Sequence, residues 1–355
     1  MNPVITAATI EAEARSLGFS LFGIAPATEA DHFEDYCEWL DHGYAGEMSY
    51  LHEHRENRRH PRSVLNSVRS VIMLGMEYSC ESPSPLMGEG LGVRGKLASY
   101  AYGPDYHGFI WNRLNTLRDW IQGTVPGSVA RGVTDSAPLL ERDFARRAGL
   151  GWVGKSTMLI NKHRGSFFFI AGLLTNLDLP PSQPHTASHC GTCTACLDAC
   201  PTQAFPEPGV LDARKCISYL TIELRGAIPL ELRAGIGDWL FGCDICQDVC
   251  PWNRGGSTTL EGLGEGFPSN PELATLDAIE LLKLTDAEFR RRFRGTSILR
   301  TKRSGLVRNA AIVLGNTGDE AAISALQAAT EDADEVVREA ATWAIARIRE
   351  RLKIS

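Results

Sequence analysis

The stretch CGTCTACLDACP at residues 190–201, followed by GCDICQDVCP at residues 242–251, decides the architecture of this chain. The first has the C-x2-C-x2-C-x3-C-P spacing of bacterial ferredoxins, in which the fourth cysteine ligates the other cluster of a pair. The second repeats the end of that pattern, with Leu240 where its first cysteine belongs, and Cys216 is left over to fill the vacancy. The spacing therefore predicts two [4Fe–4S] clusters, one held by Cys190, Cys193, Cys196 and Cys250, the other by Cys200, Cys216, Cys243 and Cys246.

Zinc is the alternative for this cysteine segment, because C-x2-C pairs also suit a tetrahedral zinc ion. Two zinc sites would not need the C-P endings, and three close cysteines with one distant partner are typical of cubane clusters. The remaining cysteines, Cys37 and Cys80, lie far from the segment. We predict that both are small buried apolar side chains.

The composition is that of an ordinary folded protein, since charged residues make up 22% and hydrophobic residues 43% of 355 residues. The net charge of −7, from 36 basic and 43 acidic residues, argues against a surface that is basic throughout. The N-terminal stretch has neither a basic, apolar leader nor a twin-arginine pair, and the chain has no apolar run of membrane length. We therefore expect a cytoplasmic protein with reduced thiols and no membrane partner.

Three regions follow from the texture of the chain: 1–179, 180–255 with the clustered cysteines, and 256–355. Hydrophobic patterning predicts helices at 9–17, 107–122 and 136–148 and strands at 70–78 and 166–174. Residues 81–97 are rich in glycine and proline and predict a loop insertion. The phrases VRNAAIVLGNTGD at 307–319 and VREAATWAIARIRE at 337–350 predict a short HEAT-like tail packed on the rest of the chain.

Two nucleotide-binding strings are present in the wrong context. GLGVRG at 90–95 matches G-x-G-x-x-G, but prolines separate it from the strand before it and no amphipathic helix follows. GLGWVGKS at 149–156 matches the P-loop, but a predicted helix leads into it and a strand-like segment leads out. A working P-loop needs the reverse order, so we do not predict ATP binding.

Beyond the cysteines, several phrases resemble the epoxyqueuosine reductases over nearly the whole chain. They are CISYLTIE at 216–223, GEMSYL at 46–51, YAYGPDYH at 100–107, GSFFFIAGLLT at 165–175 and the segment DSAPLLERDFARRAGLGWVGKSTMLI at 135–160. The resemblance implies a multidomain α+β protein: a nitroreductase-like cobalamin-binding domain, a two-[4Fe–4S] ferredoxin-like domain and a HEAT-like tail. It implies reduction of the epoxide of epoxyqueuosine to queuosine, at the wobble position of tRNA with a GUN anticodon, as the last step of queuosine biosynthesis.

The resemblance also assigns roles to single residues. Asp135 matches the family's proton donor, although Asp135 or Ser136 would also suit the cap of a helix begun near Pro138. Residues matching the border of a base-off cobalamin are Arg58, Ala98, Asp105, Asp135, Ser156, Ser218 and Asp244. Asp105 and His107 begin a D-x-H-x-x-G signature, but Ile110 replaces its glycine, so no histidine is expected on the cobalt.

A basic run without acidic residues extends from Phe289 to Arg308. A solvated face is the ordinary interpretation of such a run, but the resembled enzyme must bind a folded tRNA, so we predict phosphate contacts from Arg300, Lys302, Arg303 and Arg308. We further expect a monomer that receives electrons from an external donor. The alternatives are a cobalamin enzyme of the reductive dehalogenase kind and a non-catalytic electron-transfer module with a docking tail.

Overall fold

The computed structural model describes residues 5–78, 93–254 and 264–353. The strands are β1 Leu21–Pro26, β2 Ser70–Glu77, β3 Lys96–Leu97, β4 Ala130–Val133, β5 Trp152–Val153, β6 Leu159–Ile160, β7 Phe168–Thr175 and β8 Trp239–Phe241. The α-helices are α1 Ala7–Ser16, α2 Phe33–Asp41, α3 Ser49–Glu53, α4 Tyr106–Thr124, α5 Glu141–Arg147, α6 Ala195–Asp198, α7 Ile217–Ile222, α8 Leu230–Ile236, α9 Ile245–Asp248, α10 Ala278–Leu282, α11 Asp286–Arg292, α12 Lys302–Thr317, α13 Ile323–Ala329 and α14 Glu335–Leu352. Within these ranges, no helix is both long and apolar enough to cross a bilayer.

A four-stranded antiparallel sheet of order β1-β2-β7-β4 organises the N-terminal half. Strands β2 and β7 lie at its centre, and both are continuous apolar runs because helices cover both faces of the sheet. Helices α1 and α4 pack on one face and α5 packs on the other. The predicted strands at 70–78 and 166–174 and helices at 9–17 and 107–122 agree with β2, β7, α1 and α4 within two residues.

The helix predicted at 136–148 is shorter than expected, because α5 begins only at Glu141. Pro138 disfavours a helical conformation at the residue before it, and Asp135 has a left-handed backbone with φ of 51°. Residues 135–140 therefore form a loop at the end of β4. Leu140, the N-cap of α5, makes no side-chain capping bond, so neither Asp135 nor Ser136 has the helix-capping role that the sequence allowed.

The cysteine segment and the helical tail share one hydrophobic core, which runs from Leu97 to Ile348. Strand β3 pairs in parallel with β8, and α12 lies against both β8 and α14. The amide of Asn309 on α12 donates to the carbonyls of Thr221 at 2.8 Å and Leu240 at 2.9 Å. The tail thus packs on the body of the protein as predicted.

The structure describes the whole of the GLGWVGKS string but only part of the GLGVRG string. Residues 79–92, with Cys80, most of the 81–97 insertion and the glycines at 90 and 92, lie outside the described residues. The 149–156 string has the order helix α5, loop, strand β5, the reverse of a P-loop. Gly149 has φ of 81°, which glycine adopts without strain as the chain leaves the helix.

Arg308 corrects the predicted set of tRNA ligands. Its side chain is fully buried, and its guanidinium donates to the carbonyls of Gly226 at 2.6 Å, Leu220 at 2.7 Å and Leu224 at 2.9 Å. Burial lowers its pKa to about 10, which is still high enough to keep the charge at neutral pH. Arg308 joins the tail to the cysteine segment and cannot reach a phosphate.

Arg308→Ala is expected to destabilise the protein by on the order of 3 kcal/mol, because several buried carbonyls lose their donor. The measurement is the thermal unfolding midpoint, with Arg349→Ala, an exposed change on α14, as the control. An unchanged midpoint together with weakened tRNA binding would contradict this assignment and restore a phosphate contact.

Candidate active site and cluster segment

A cavity of about 1360 Å³ lies between the sheet domain, the cysteine segment and the residues that precede α12. Pockets for small ligands usually measure about 300–1,000 Å³, so this one has room for more than a nucleoside. Its wall combines apolar side chains such as Met48, Leu139 and Phe241 with polar groups from all three regions. The three sequence-defined regions therefore meet at one site.

Asp135 stands in this cavity at the start of the loop between β4 and α5. The hydroxyl of Tyr106, on the first turn of α4, donates to the Oδ2 atom of Asp135. The backbone N–H of Asp135 donates to the Oε1 atom of Glu141 at 2.9 Å. These two bonds fix both the carboxyl group and the left-handed backbone of Asp135.

The electrostatics of Tyr106 and Glu141 favour bound protons. Burial, followed by the charge of Asp135, raises the pKa of Tyr106 far above its usual range. Burial, the charge of Asp135 and a hydrogen bond with its side chain raise the pKa of Glu141 well above its ordinary value. Tyr106 also stacks between His107 and Phe169, with ring centroids 4.1 and 4.6 Å away. The sequence pointed to Asp135 but missed Tyr106 and Glu141, although both occur in the quoted phrases.

Four of the residues matched to a cobalamin border line the cavity: Arg58, Asp105, Asp135 and Ser218. Arg58 donates to the Tyr36 hydroxyl at 3.1 Å. The Oδ1 atom of Asp105 caps α4 by accepting from the His107 N–H at 3.0 Å. The same oxygen lies 2.8 Å from the Nδ1 atom of His107 and so fixes the orientation of that ring. A corrin offers apolar ring faces and a rim of amides, and apolar walls with scattered donors and acceptors fit such a group.

Ala98, Ser156 and Asp244 are buried and are not among the residues that line the cavity. Asp244 accepts from the Ser99 N–H at 2.6 Å, and burial raises its pKa to about 6. Ala98 lies against Gly242, which has φ of 72°. Ser156 lies between Gly154 and Thr157, which do line the cavity. These three residues support the wall from behind in this structure.

The cysteine thiols form two neighbourhoods, and most of the thiols that influence one another's pKa belong to the same predicted ligand set. After burial, the thiolates of Cys190, Cys250 and Cys193 raise the pKa of Cys196, and those of Cys216 and Cys246 raise the pKa of Cys243. The pKa of Cys246 is raised by burial and then by the thiolates of Cys216, of Cys196 from the other set, and of Cys200. All nine described cysteines are free thiols, and in the described ranges no three metal-binding side chains converge on a single-ion site.

The two neighbourhoods differ in their access to the cavity. Cys216, of the second set, lines the cavity wall together with Ser218. Cys193, of the first set, is exposed. Lys155, in the loop that resembles a P-loop, donates to the carbonyls of Gly191 at 2.8 Å and Cys193 at 2.9 Å and so clamps the first cysteine loop. Lys155 is the lysine of the GLGWVGKS string. Its role here is to hold a cysteine loop and not to bind phosphate.

The other predicted tRNA ligands are not equivalent. Arg303 pairs with Asp332 through both terminal nitrogens, one at 2.9 Å, and its Nε donates to the Leu284 carbonyl at 2.6 Å. It is therefore committed to holding the tail together, which corrects its prediction as a phosphate ligand. Arg300 lines the cavity and pairs with Glu223 at 2.8 Å, and Lys302 is exposed at the start of α12. We define the basic surface as the exposed side chains of Arg290, Arg291, Arg292, Arg294, Arg300 and Lys302.

Comparison with known proteins agrees with this architecture. A family model described as epoxyqueuosine reductase QueG matches residues 58–136, a 4Fe–4S double cluster binding domain matches 189–253, and HEAT repeats match 296–353. The epoxyqueuosine reductase of Pseudomonas aeruginosa is 40% identical over 98% of this chain and 95% of its own length. That of Escherichia coli K12 is 40% identical over 94% of this chain and 87% of its own length.

Among solved structures, the crystal structure of epoxyqueuosine reductase with an epoxyqueuosine-modified tRNA-Tyr stem loop has a TM-score of 0.87 and 30% identity. It covers 96% of this chain, and 89% of that chain is covered. The predicted multidomain α+β class with a double-cluster domain and a HEAT-like tail is confirmed. With 40% identity to named relatives over nearly its whole length, the chain belongs to the epoxyqueuosine reductase family.

Proposed function

We propose that this chain reduces the epoxide of epoxyqueuosine, at the wobble position of tRNA with a GUN anticodon, to the alkene of queuosine. It does so with cobalamin bound in the 1360 Å³ cavity and with two [4Fe–4S] clusters that deliver electrons. The observation that carries the proposal is that Asp135, a candidate acid, and Cys216, a candidate cluster ligand, line the same cavity. The family's solved complex with a modified tRNA stem loop supports the substrate.

The reaction consumes two electrons and two protons and releases the epoxide oxygen as water. When bound, cobalamin would supply a strong cobalt-centred reductant at the face of the substrate. The chain supplies the rest. Asp135 delivers a proton to the departing oxygen, and Tyr106 holds the Oδ2 atom of Asp135 in place. The loop backbone is held by Glu141.

The cluster ligands in this proposal are the two sets named from the spacing. The first cluster is held by Cys190, Cys193, Cys196 and Cys250, of which Cys193 is exposed. The second is held by Cys200, Cys216, Cys243 and Cys246, of which Cys216 lines the cavity wall. This order supports electron entry from an external donor at the first cluster and exit into the cavity from the second. We also propose the division 1–179, 180–255 and 256–355, with the protein acting as a cytoplasmic monomer.

For cobalamin, Arg58, Asp105 and Ser218 are the cavity-lining side chains that we propose would meet its polar rim, and Asp135 lines the same cavity as the proton donor. Ala98, Ser156 and Asp244 would shape the wall behind them. His107 stays bonded to Asp105 and is not proposed as a cobalt ligand. Uptake of cobalamin by the purified protein, seen in its visible spectrum, tests this part, and failure to bind it would contradict the proposal.

For tRNA, we propose that the basic surface contacts the anticodon arm while the flipped wobble nucleoside enters the cavity. Arg300 supports this path, because it is exposed and also lines the cavity. The basic surface replaces the four phosphate ligands predicted from the sequence, which were Arg300, Lys302, Arg303 and Arg308. Of these four, Arg300 and Lys302 remain.

Charge reversal of the basic surface, in Arg291→Glu with Arg294→Glu, is expected to weaken stem-loop binding about tenfold or more. The logarithmic dependence of affinity on salt should also become shallower, because fewer counterions are released. Filter binding or fluorescence anisotropy at several salt concentrations measures both, with Arg349→Glu as the control. Unchanged affinity and salt dependence would show that the surface is merely solvated.

The activity itself is tested with the purified protein, reconstituted with iron, sulfide and cobalamin, on an epoxyqueuosine-containing anticodon stem loop. Queuosine should form with a low-potential reductant present and should not form without it. Binding of both cofactors with no queuosine formed under any reductant would contradict the proposed function.

A further inference from the structure

The pair of carboxyl groups formed by Asp135 and Glu141 has a role that the proposed reaction leaves open. Removing an epoxide oxygen as water takes two protons, and Asp135 can deliver only one before it must be protonated again. We infer that Glu141 holds the proton that reprotonates Asp135 within each turnover, while its Oε1 atom anchors the catalytic loop. This inference rests on the proposed function, and it concerns how that reaction obtains its second proton.

The geometry of the loop supports this assignment. Glu141 is the first residue of α5, lines the same cavity as Asp135, and accepts the Asp135 N–H at 2.9 Å. The bond holds Asp135 at φ of 51°, a conformation that aspartate tolerates better than most residues. Tyr106 lies on the other side of Asp135 and donates to it. Asp135 is thus flanked by a hydroxyl donor and by a second carboxyl group.

The chemistry of two adjacent carboxyl groups supplies the proton. Like charges in contact cannot both ionise easily, so one member of such a pair keeps its proton at a pH where an isolated carboxyl is charged. Burial, the charge of Asp135 and the hydrogen bond between the side chains all raise the pKa of Glu141. Two contributions oppose them: the bond from the Asp135 N–H, which favours the charged form of Glu141, and the charge of Arg142. A carboxyl group whose pKa is raised holds its proton more readily than an isolated one, and Glu141 lies directly beside the acid that gives up its proton.

The other charged or titratable groups around the pair do not replace this role. The pKa of Tyr106 is raised far above neutrality, and its hydroxyl already donates its hydrogen to Asp135. Further groups near the loop are Arg58, which reaches the Ala137 carbonyl at 3.4 Å, Tyr50, His107 and Arg142. Of these, His107 is bonded to Asp105 and stacked on Tyr106. Glu141 acts through Asp135 and is a positioning and proton-holding residue, without contact to the substrate.

Glu141→Gln separates the two tasks, because the amide oxygen still accepts the Asp135 N–H but the side chain has no proton to give. We expect normal cobalamin and cluster spectra, an unchanged KM for the stem loop and a kcat lower by about tenfold or more. In the wild type, kcat should fall as the pH rises through the pKa of Glu141, since the required form is protonated. In Glu141→Gln the contribution of Glu141 to that fall should disappear, so the pH profile of the variant should differ from that of the wild type. Glu280→Gln, an exposed change on α10, is the matched control.

A readout independent of turnover is the infrared band of a protonated carboxyl group at neutral pH. The wild type and Glu280→Gln should share a component of this band that Glu141→Gln lacks. A wild-type kcat and pH profile in Glu141→Gln would overturn the inference while leaving the reductase activity intact. If Glu141→Gln does not retain its cofactors, a wild-type protein with no such band would still overturn it. A wild-type protein that makes no queuosine contradicts the proposed function instead.

Discussion

Asp135→Asn is expected to lower the rate of epoxyqueuosine reduction by about 10²–10⁴-fold, the usual contribution of a positioned general acid. Asparagine keeps the shape of the side chain and tolerates a positive φ, so the loop and its bond to Glu141 should persist. What is lost is the proton at the end of the side chain. Single-turnover kinetics with pre-reduced protein measure the chemical step directly.

The control for this change is Ser136→Ala, at the neighbouring exposed position, which should react at the wild-type rate. Cobalamin and cluster spectra should be unchanged in both variants, because Asp135 is only one of several residues that line the cavity. Full activity in Asp135→Asn would remove Asp135 as the proton donor, and with it the proton-holding role of Glu141.

Cys216→Ala is expected to abolish activity and to lower the iron content from about eight to about four atoms per chain. The reason is that Cys216 is the predicted ligand of the second cluster that also lines the cavity, so its loss breaks the electron path at the last step. Iron analysis and electron paramagnetic resonance of the reduced protein measure how many clusters remain. The control is Cys37→Ala, a buried thiol whose sulfur accepts from Arg55 at 3.1 Å and which should leave both clusters in place.

In the predicted ligand sets, Cys250 from the second cysteine run completes the first cluster, and Cys200 from the first run belongs to the second cluster. Substitutions at these two positions test this crossed arrangement. Cys250→Ala should remove the first cluster and leave the cavity-side cluster intact, whereas Cys200→Ala should do the opposite. If Cys200→Ala and Cys196→Ala removed the same cluster, the C-x2-C-x2-C-x3-C run would hold one cluster by itself. That outcome would contradict the crossed assignment.

The cysteine segment was predictable from the sequence because its signal is local. Three ligands of the first set and two of the second lie within a few residues of one another, and a 4Fe–4S double cluster binding domain matches residues 189–253. The central strands were predictable for a similar reason, since β2 and β7 are short apolar runs bounded by polar residues. Cobalamin was different: only the resemblance suggested it, because its proposed contacts are scattered between Arg58 and Asp244.

The proton-handling residues could not be found by pattern, because Tyr106 and Glu141 meet Asp135 only in the folded chain. Tyr106 begins α4 and Glu141 begins α5, and each looks like an ordinary first-turn residue. The opposite error occurred at Arg308, which was counted with a basic run although Val307, Ala310 and Ala311 around it are apolar. Residues 305–315 of α12 are all buried, so every side of this part of the helix lies in the core, where Arg308 binds carbonyl groups.

Conversion of epoxyqueuosine to queuosine by this chain, with Asp135 as the acid, is measured by nucleoside analysis of tRNA from cells that lack their own epoxyqueuosine reductase. Cells that express the wild-type chain and are supplied with cobalamin should contain queuosine in place of epoxyqueuosine. Cells that express Asp135→Asn at the same level should retain mostly epoxyqueuosine. Persistent epoxyqueuosine with the wild-type chain, despite bound cobalamin and both clusters, would contradict the account.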